Sequence, residues 1–437
     1  MSAQQQQVAA PATATAAEDL PDINIKKLLT RLWPLGHPDP VTPDELANAI
    51  SYFFTNQISD VQAGALLMCL HFTGLDRSAE VLSKTAQVML KAAAQTDLEE
   101  LRQVIEKRGR QEGAYNGGLC DIVGTGGDSH NTFNISTTSS ILASSLLLVG
   151  KHGNKASTSK SGSADLLACV PPRPPQISRI RPDTVCSLYS QCNYGFLFAP
   201  VFHQGMRYVA PIRTQLPWRT IFNLVGPLAN PLDVLDPAVF EGKGSKGKLV
   251  EARMIGCARK DLGPVFAEAL KMGGARKAMV VCGDEELDEI SCAGPTLCWT
   301  IKPTGEDPEG EPVVSHFLLH PSDFGLPAHP LSEVSPGKEP IENAAILSRI
   351  LNGEMPDDDP ILHFVLMNTA ALFVVSGICE ADTSDMGHGD DGQVIKERGP
   401  GGGRWKEGIR RARWAIKSGE AARQWAKFVE VTNSFSA

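Results

Sequence analysis

Asp121-Ile122-Val123-Gly124-Thr125-Gly126-Gly127-Asp128, running on through Ser129-His130-Asn131-Thr132-Phe133-Asn134-Ile135-Ser136-Thr137-Thr138, is the stretch around which the rest of the chain falls into place. Cys120 to Val123 predicts a short strand, and the glycines after it predict a tight loop. A helix is expected to open near Asn134 and to close at Gly150. Glycines let the backbone approach a ligand and turn its N–H groups inward. A helix N-terminus just downstream adds unpaired donors and a partial positive charge. Together these make a phosphate site. It is not the Walker pattern, because no Gly-Lys-Ser/Thr closes it, and it is not Gly-x-Gly-x-x-Gly. Lys151-His152-Gly153-Asn154-Lys155-Ala156-Ser157-Thr158-Ser159-Lys160-Ser161-Gly162-Ser163 reads as a second polar loop after the same helix. Either segment alone reads equally well as an ordinary surface loop. The pair predicts a ligand carrying several phosphates.

Composition narrows the class. At 437 residues the chain is long enough for two domains, and 42% hydrophobic content is that of a globular protein. A net charge of −9 argues against a nucleic-acid surface, which needs clustered Lys and Arg. The 10 cysteines are scattered singly with no Cys-x-x-Cys pair. With no signal peptide, they read as reduced cytosolic thiols, and a cytoplasmic protein is expected. No apolar run reaches the roughly 18 residues of a membrane span.

Residues 1–20 are rich in Ala, Gln and Thr and predict a disordered tail. From 21 to 112 the chain reads as helices only, a small α domain. Thr42-Pro43-Asp44-Glu45 and Ser59-Asp60-Val61-Gln62 are helix-start boxes, followed by Leu46, Ile50, Phe53 and by Leu66, Leu67, Leu70. From 113 to 437, strand-like runs (Met254–Ala258, Ala278–Cys282) alternate with a helix (Leu262–Lys271). That rhythm predicts an α/β domain with a mainly parallel sheet flanked by helices. Ligands of such sheets lie outside the carboxyl ends of strands, where Gly124 and Asp284 belong. Pro303–Pro312 reads as a loop, 380–404 as a Gly-rich surface insertion, and Trp405–Val429 as the closing helix. Gly113–Gly118 reads as the junction between domains, with glycines placed as hinges are.

Gly124-Thr125-Gly126-Gly127-Asp128 and Lys151-His152-Gly153-Asn154 resemble the signatures of the anthranilate phosphoribosyltransferase family. Its members join anthranilate to phosphoribosyl pyrophosphate (PRPP) in tryptophan synthesis, and the likeness extends from about Thr42 onward. It implies the nucleoside phosphorylase/phosphoribosyltransferase-like fold, with a segment near 199–227 returning to the helical domain, and a homodimer. It also implies that Gly124, Gly127, Asp128, Thr132, Asn134, Ile135, Ser136, Thr137, Lys151, His152, Gly153, Asn154, Lys155, Ala156, Ser157, Thr158, Ser159 and Ser163 hold PRPP. Gly124, Asn154 and Arg213 would hold anthranilate, with His152 and Arg213 as positioning groups; no residue is assigned as a catalytic acid or base.

Departure of pyrophosphate from the ribose leaves an oxocarbenium-like carbon, so the chemistry needs a sink for negative charge. Magnesium is the usual one. The acidic run Asp284-Glu285-Glu286-Leu287-Asp288-Glu289 follows a strand, and by resemblance Asp288 and Glu289, with Ser136, are the ligands. An aryl amine is already neutral at pH 7, so a strong base is unnecessary. The family's His-Pro-Ala-Met stands here as His203-Gln204-Gly205-Met206, and Ala168-Cys169-Val170-Pro171 with Pro172, Pro174 and Pro175 also departs from its pattern. These changes bear on the aromatic-acid channel. The competing functions are a pyrimidine nucleoside phosphorylase-like enzyme, which does not need the Asp-Glu pair, and a non-catalytic nucleic-acid-binding relative, which should be basic.

Overall fold

In the computed structural model, the described residues are 20–156, 161–234, 248–303, 310–335 and 339–436. The N-terminal tail through residue 19 lies outside them, as do 304–309 of the expected Pro-rich loop.

Four helices open the described chain: α1 (Lys26–Leu32), α2 (Pro43–Phe54), α3 (Asp60–Thr73) and α4 (Ala79–Lys91). Thr42 caps α2, accepting from the Glu45 N–H while Glu45 accepts from the Thr42 N–H at 2.9 Å. Ser59 caps α3, and Gly74 ends it in a left-handed conformation at φ +74°. Leu46, Ile50, Phe53, Leu66, Leu67, Leu70 and Leu82 are buried between these helices. Val209, Ile221, Phe222 and Val225, more than a hundred residues away in sequence, lie in the same core. That core continues into Ile255, Phe266 and Val280, so one apolar mass joins the helices to a face of the sheet.

The sheet has seven strands: β1 (Leu119–Gly124), β2 (Leu148–Gly153), β3 (Tyr194–Phe198), β4 (Val250–Gly256), β5 (Lys277–Gly283), β6 (Thr296–Pro303) and β7 (Pro312–Leu319). Their order is β3-β2-β1-β4-β5-β6-β7. The first five run parallel, and β6 and β7 add an antiparallel hairpin at one edge. From β1 the chain moves outward through β2 and β3, then returns to the other side of β1 at β4. The order therefore reverses between β1 and β4, and a crevice opens at their carboxyl ends. Helix α6 (Ile135–Ala143) and the largely apolar, buried helix Pro360–Ser376, which pack on each other, lie against the sheet here.

Several expectations change. The helix expected over 134–150 stops at Ala143, and Leu148–Gly153 is strand β2. Leu146-Leu147-Leu148-Val149 is buried on all sides, and periodicity cannot separate a helix from a strand in such a run. Lys151, His152 and Gly153 are thus strand residues, and the polar loop begins only at Asn154. The closing helix is two, Trp405–Lys417 and Glu420–Ser434, divided by Gly419 at φ +76°. A fifth helix, α5 (Leu98–Arg108), falls inside the expected α domain, yet its Leu101 and Ile105 lie in the sheet's core. The 380–404 segment is irregular but tied down. Arg404 donates to the Ala381 carbonyl (2.9 Å), and Arg410 pairs with Asp390 (3.0 Å).

Gly113–Gly118 does not have the character of a hinge. Glu251 accepts from the N–H groups of Asn116 (2.9 Å) and Gly118 (2.8 Å), and Lys277 ties both Glu251 and the Ala114 carbonyl. The buried Tyr115 hydroxyl donates to the Gly118 carbonyl (2.6 Å) and accepts from the Leu148 N–H (3.0 Å). Removing that hydroxyl leaves a buried N–H unpaired, at a cost of about 1–3 kcal/mol. Tyr115→Phe should therefore lower the urea midpoint by that equivalent; an unchanged midpoint would show that the anchor contributes nothing.

Candidate functional site

The site forms at the crevice, where two glycines let the acidic loop lie directly on the strand ends. A Cβ on Gly256 would sit 1.5 Å from the Asp288 carbonyl oxygen, and one on Gly124 2.4 Å from Asp288 Oδ2. Asp288 Oδ2 accepts the Gly126 N–H at 2.6 Å, and Glu289 Oε1 accepts the Ser136 N–H, the second residue of α6, at 3.3 Å. Asp284 is exposed and pairs with Lys260 at 2.6 Å. Of the acidic run, Asp288 and Glu289 face the glycine loop and Asp284 does not. Asn368, on Pro360–Ser376, holds this arrangement: its amide accepts from the Ile290 N–H (3.0 Å) and donates to the Ile290 carbonyl (3.2 Å). One of a few polar residues on a largely apolar helix, Asn368 gave no sequence signal for that role.

Burial and the neighbouring Asp128 carboxylate push Asp288 up to about 7, and burial with the charge of Asp288 raises Glu289 as well. Glu289 Oε2 is buried with no hydrogen-bond partner. Crowded acids with an unsatisfied oxygen suit a cation. Among the described residues no three His, Cys, Asp or Glu side chains are grouped to hold an ion by themselves. A hard ion that takes few protein oxygens and completes its shell with phosphate and water fits this donor set.

Strand alternation sorts the next pair. Lys151 is buried, and its Nζ donates to the Ile122 carbonyl (2.7 Å) and to Ser136 Oγ (3.3 Å). Burial lowers it to about 8, against the pull of Asp121, Glu289 and Asp288. His152 projects to the other face, where its ring lies 5.1 Å from that of His203. His203 bonds the Ala229 carbonyl at 2.9 Å, and burial holds it down to about 4; burial and His203 push His152 well below its ordinary value. Both imidazoles are therefore neutral near pH 7.

The ladder between β1 and β2 spans only two residue pairs, Leu119 with Leu148 and Cys120 with Val149. Beyond it the strands are bridged by side chains: buried Asp121 accepts from the His152 N–H (3.3 Å) and Asn230 (2.9 Å), which also donates to the Gly150 carbonyl (2.7 Å). Nothing in the sequence assigns an individual role to Asp121, Asn230 or Arg219. Arg219 donates to the carbonyls of Gly126 (2.6 Å) and Thr125 (2.8 Å). Arg213 is half-buried over the Phe222 ring at 5.8 Å, and burial and the charge of Arg219 lower it.

The other expected residues fall as follows. Gly127 (φ +83°) and Asp128 are in the loop, with Thr132 after it; Asn134 precedes α6, and Ile135 is buried in the core. Thr137 donates to Ser163 (2.8 Å), bringing the start of α6 to the far end of the second segment. Ala156 donates to Asp165 (2.8 Å), while Asn154 and Lys155 are exposed. Ser157, Thr158 and Ser159 lie outside the described residues. No hydrogen bond links Gly124, Asn154 and Arg213 to one another among the described residues.

Substituting Asp288→Asn together with Glu289→Gln removes both charges at little steric change. Turnover should fall at least about a hundredfold while the melting temperature holds or rises, since crowded like charges oppose folding. Asp284→Asn should cost less than about twofold. Greater damage from Asp284→Asn than from the pair would reverse the assignment.

A helical bundle joined to a sheet domain whose glycine loop meets an acidic loop is the plan of a glycosyl transferase family. The chain matches that family's helical bundle domain over residues 25–93 and its a/b domain over 116–422. It is 37% identical to the anthranilate phosphoribosyltransferase of Schizosaccharomyces pombe over 388 residues, 88% of this chain and 91% of that one. The Saccharomyces cerevisiae enzyme is 34% identical over 379 residues, 85% and 86% of the two chains. Its solved structure in complex with PRPP and Mg superposes with a TM-score of 0.73 at 30% identity, covering 93% of this chain and 97% of that one. The structure with 4-fluoroanthranilate gives 0.71 at 29% identity, with the same coverage. The chain belongs to the anthranilate phosphoribosyltransferase family, and so to the enzymes that transfer pentosyl groups.

Proposed function

We propose that this protein transfers the phosphoribosyl group of PRPP to the amine of anthranilate, releasing pyrophosphate and giving N-(5-phosphoribosyl)anthranilate for tryptophan synthesis. The observation that carries this is the meeting of the glycine loop, buried Lys151 and the Asp288–Glu289 pair at the crevice between β1 and β4. In this reading the N–H groups of the loop and of α6 bind phosphate oxygens, with the hydroxyls of Ser136, Thr137 and Ser163 and the Asn154 loop. Lys151 adds a fixed positive charge beneath them. Mg²⁺, held by Ser136, Asp288 and Glu289, would neutralise the pyrophosphate as it leaves. Arg213 is the cation for the anthranilate carboxylate. His152, neutral and held from behind, orients the aryl amine without taking its proton.

A nucleoside phosphorylase would leave the Asp288–Glu289 pair without a task, and a net charge of −9 disfavours nucleic acid. All 10 cysteines are unpaired, which supports a reducing, cytoplasmic setting. No helix among the described residues is long and apolar enough to cross a membrane. Val61, Met68 and Phe72 are exposed along one face of α3, and Trp33 and Leu35, just after α1, are exposed as well. That apolar face fits the homodimer of the resemblance, with a second copy as the partner. Val61→Glu with Met68→Glu should convert a dimer to a monomer in sedimentation; an unchanged dimer would place the interface elsewhere.

The activity is tested by loss of anthranilate fluorescence on adding PRPP and Mg²⁺, with EDTA as control. No Mg²⁺-dependent loss would overturn the function. A charge-assisted bond is worth roughly 1.5–3 kcal/mol, so Arg213→Ala should raise the KM for anthranilate about ten- to a hundredfold, with PRPP binding nearly unchanged. Equal losses for both substrates would make Arg213 structural.

A further inference from the structure

Arg219 belongs to no part of the machinery assigned so far, yet it holds the glycine loop from behind. Its two terminal nitrogens donate to adjacent carbonyls, Nη1 to Gly126 (2.6 Å) and Nη2 to Thr125 (2.8 Å). The preceding residue faces the other domain. The Trp218 ring stacks on His71 at 5.5 Å with an interplanar angle of 12°, and meets Phe72 edge-on at 5.2 Å. Both partners lie on α3 of the helical bundle. Two consecutive residues thus grip the phosphate loop and the bundle.

We propose that Arg219, with Trp218 as its anchor, is a positioning residue that fixes the orientation of the glycine-loop peptides and couples the pyrophosphate site to the helical bundle. A trans peptide is planar, so its C=O and N–H point in opposite directions. Holding the Thr125 carbonyl sends the Gly126 N–H the other way, where Asp288 Oδ2 accepts it at 2.6 Å. Holding the Gly126 carbonyl sends the Gly127 N–H away from the guanidinium, and no backbone acceptor takes it among the described residues. That N–H is left for an anion. Gly127 is left without a side chain for two reasons: its φ is +83°, and a Cβ there would fall 1.6 Å from Arg219 Nη1. Arg219 Nε is buried without a partner, so among the described residues the guanidinium's hydrogen bonds are the two to the loop carbonyls.

The proposal rests on the reading of the loop as the pyrophosphate site. Arg219→Ala should raise the KM for PRPP about tenfold or more, with a smaller change in kcat and the KM for anthranilate within about twofold at saturating PRPP. Amide hydrogen exchange over residues 124–128 should quicken in the ligand-free variant. A single ammonium cannot bridge two carbonyls in a fork, so Arg219→Lys should not restore the KM. Trp218→Ala should move the same two quantities in the same direction by less. Should Arg219→Ala fail to fold, Arg219→Lys and Trp218→Ala carry the same readouts. A PRPP KM within twofold of wild type with unchanged exchange at 124–128 overturns the proposal, as does full rescue by Lys. If the wild-type protein shows no turnover, the proposed activity fails instead. The exchange measurement, made with and without inorganic pyrophosphate and Mg²⁺, then still decides the role of Arg219.

Discussion

Everything at the site depends on the absence of two side chains. Gly124 and Gly256 end neighbouring strands, and the space a Cβ would need at each is taken by Asp288. The acidic loop can therefore lie on the sheet edge itself, close enough for Asp288 to accept from the Gly126 N–H. A larger residue at either position would lift the loop and move both carboxylates away from α6. The same closeness crowds the acids and raises their proton affinity, a strain that a bound cation would relieve. Crowded like charges of this kind oppose folding, and a trade of that sort is common where a site needs unpaired charge.

Pleating divides the second motif between two tasks. Adjacent residues of a strand face opposite ways, so Lys151 reaches Ser136 at the start of α6 while His152 lies on the wall shared with His203. The short ladder between β1 and β2 makes room for this, because Asn230, Asp121 and Lys151 fill the positions that backbone pairing would otherwise occupy. Burial then holds both histidines neutral. A neutral imidazole accepts at one nitrogen and donates at the other, which suits orienting an amine better than removing its proton.

What the sequence made legible was local chemistry. The helix starts at Thr42 and Ser59, the loop at Gly124 and the strand–helix rhythm after Met254 all rest on contacts within a few residues, and all are found in the fold. Illegible features came from distant partners. Leu146–Val149 is apolar on every side, so only its neighbours in the sheet decide that it continues as a strand. Gly113–Gly118 has the composition of a hinge, but Glu251 and Lys277, far off in sequence, turn it into an anchor. Asn368 and Arg219 left no pattern, because each acts by gripping backbone groups remote in the chain. The acidic run was a matter of register, and the fold sorts it by facing Asp288 and Glu289 toward the loop and pairing Asp284 with Lys260.

The anchored glycines also constrain how the two halves can move. α5 lies in the sheet's core, so the connections between bundle and sheet are upstream of it, around Ala94, and in the returning segment, where the Ala94 N–H bonds the Phe202 carbonyl at 2.7 Å. The bundle's core runs without a break through Phe222 into Ile255 and Phe266. Swinging the halves apart would expose that apolar surface at roughly 25 cal/mol per Å², a cost a wide hinge opening would meet at once. Small sliding of packed helices exposes far less, and it is the motion such interfaces permit. Contacts that can reorganise during sliding are those at the rim, above all the Trp218–Arg219 pair, whose ring stacks on α3 on one side and whose guanidinium holds the glycine loop on the other. Displacements of an ångström there would turn the loop peptides, which is how the proposed coupling between bundle and glycine loop would act without a large change of shape.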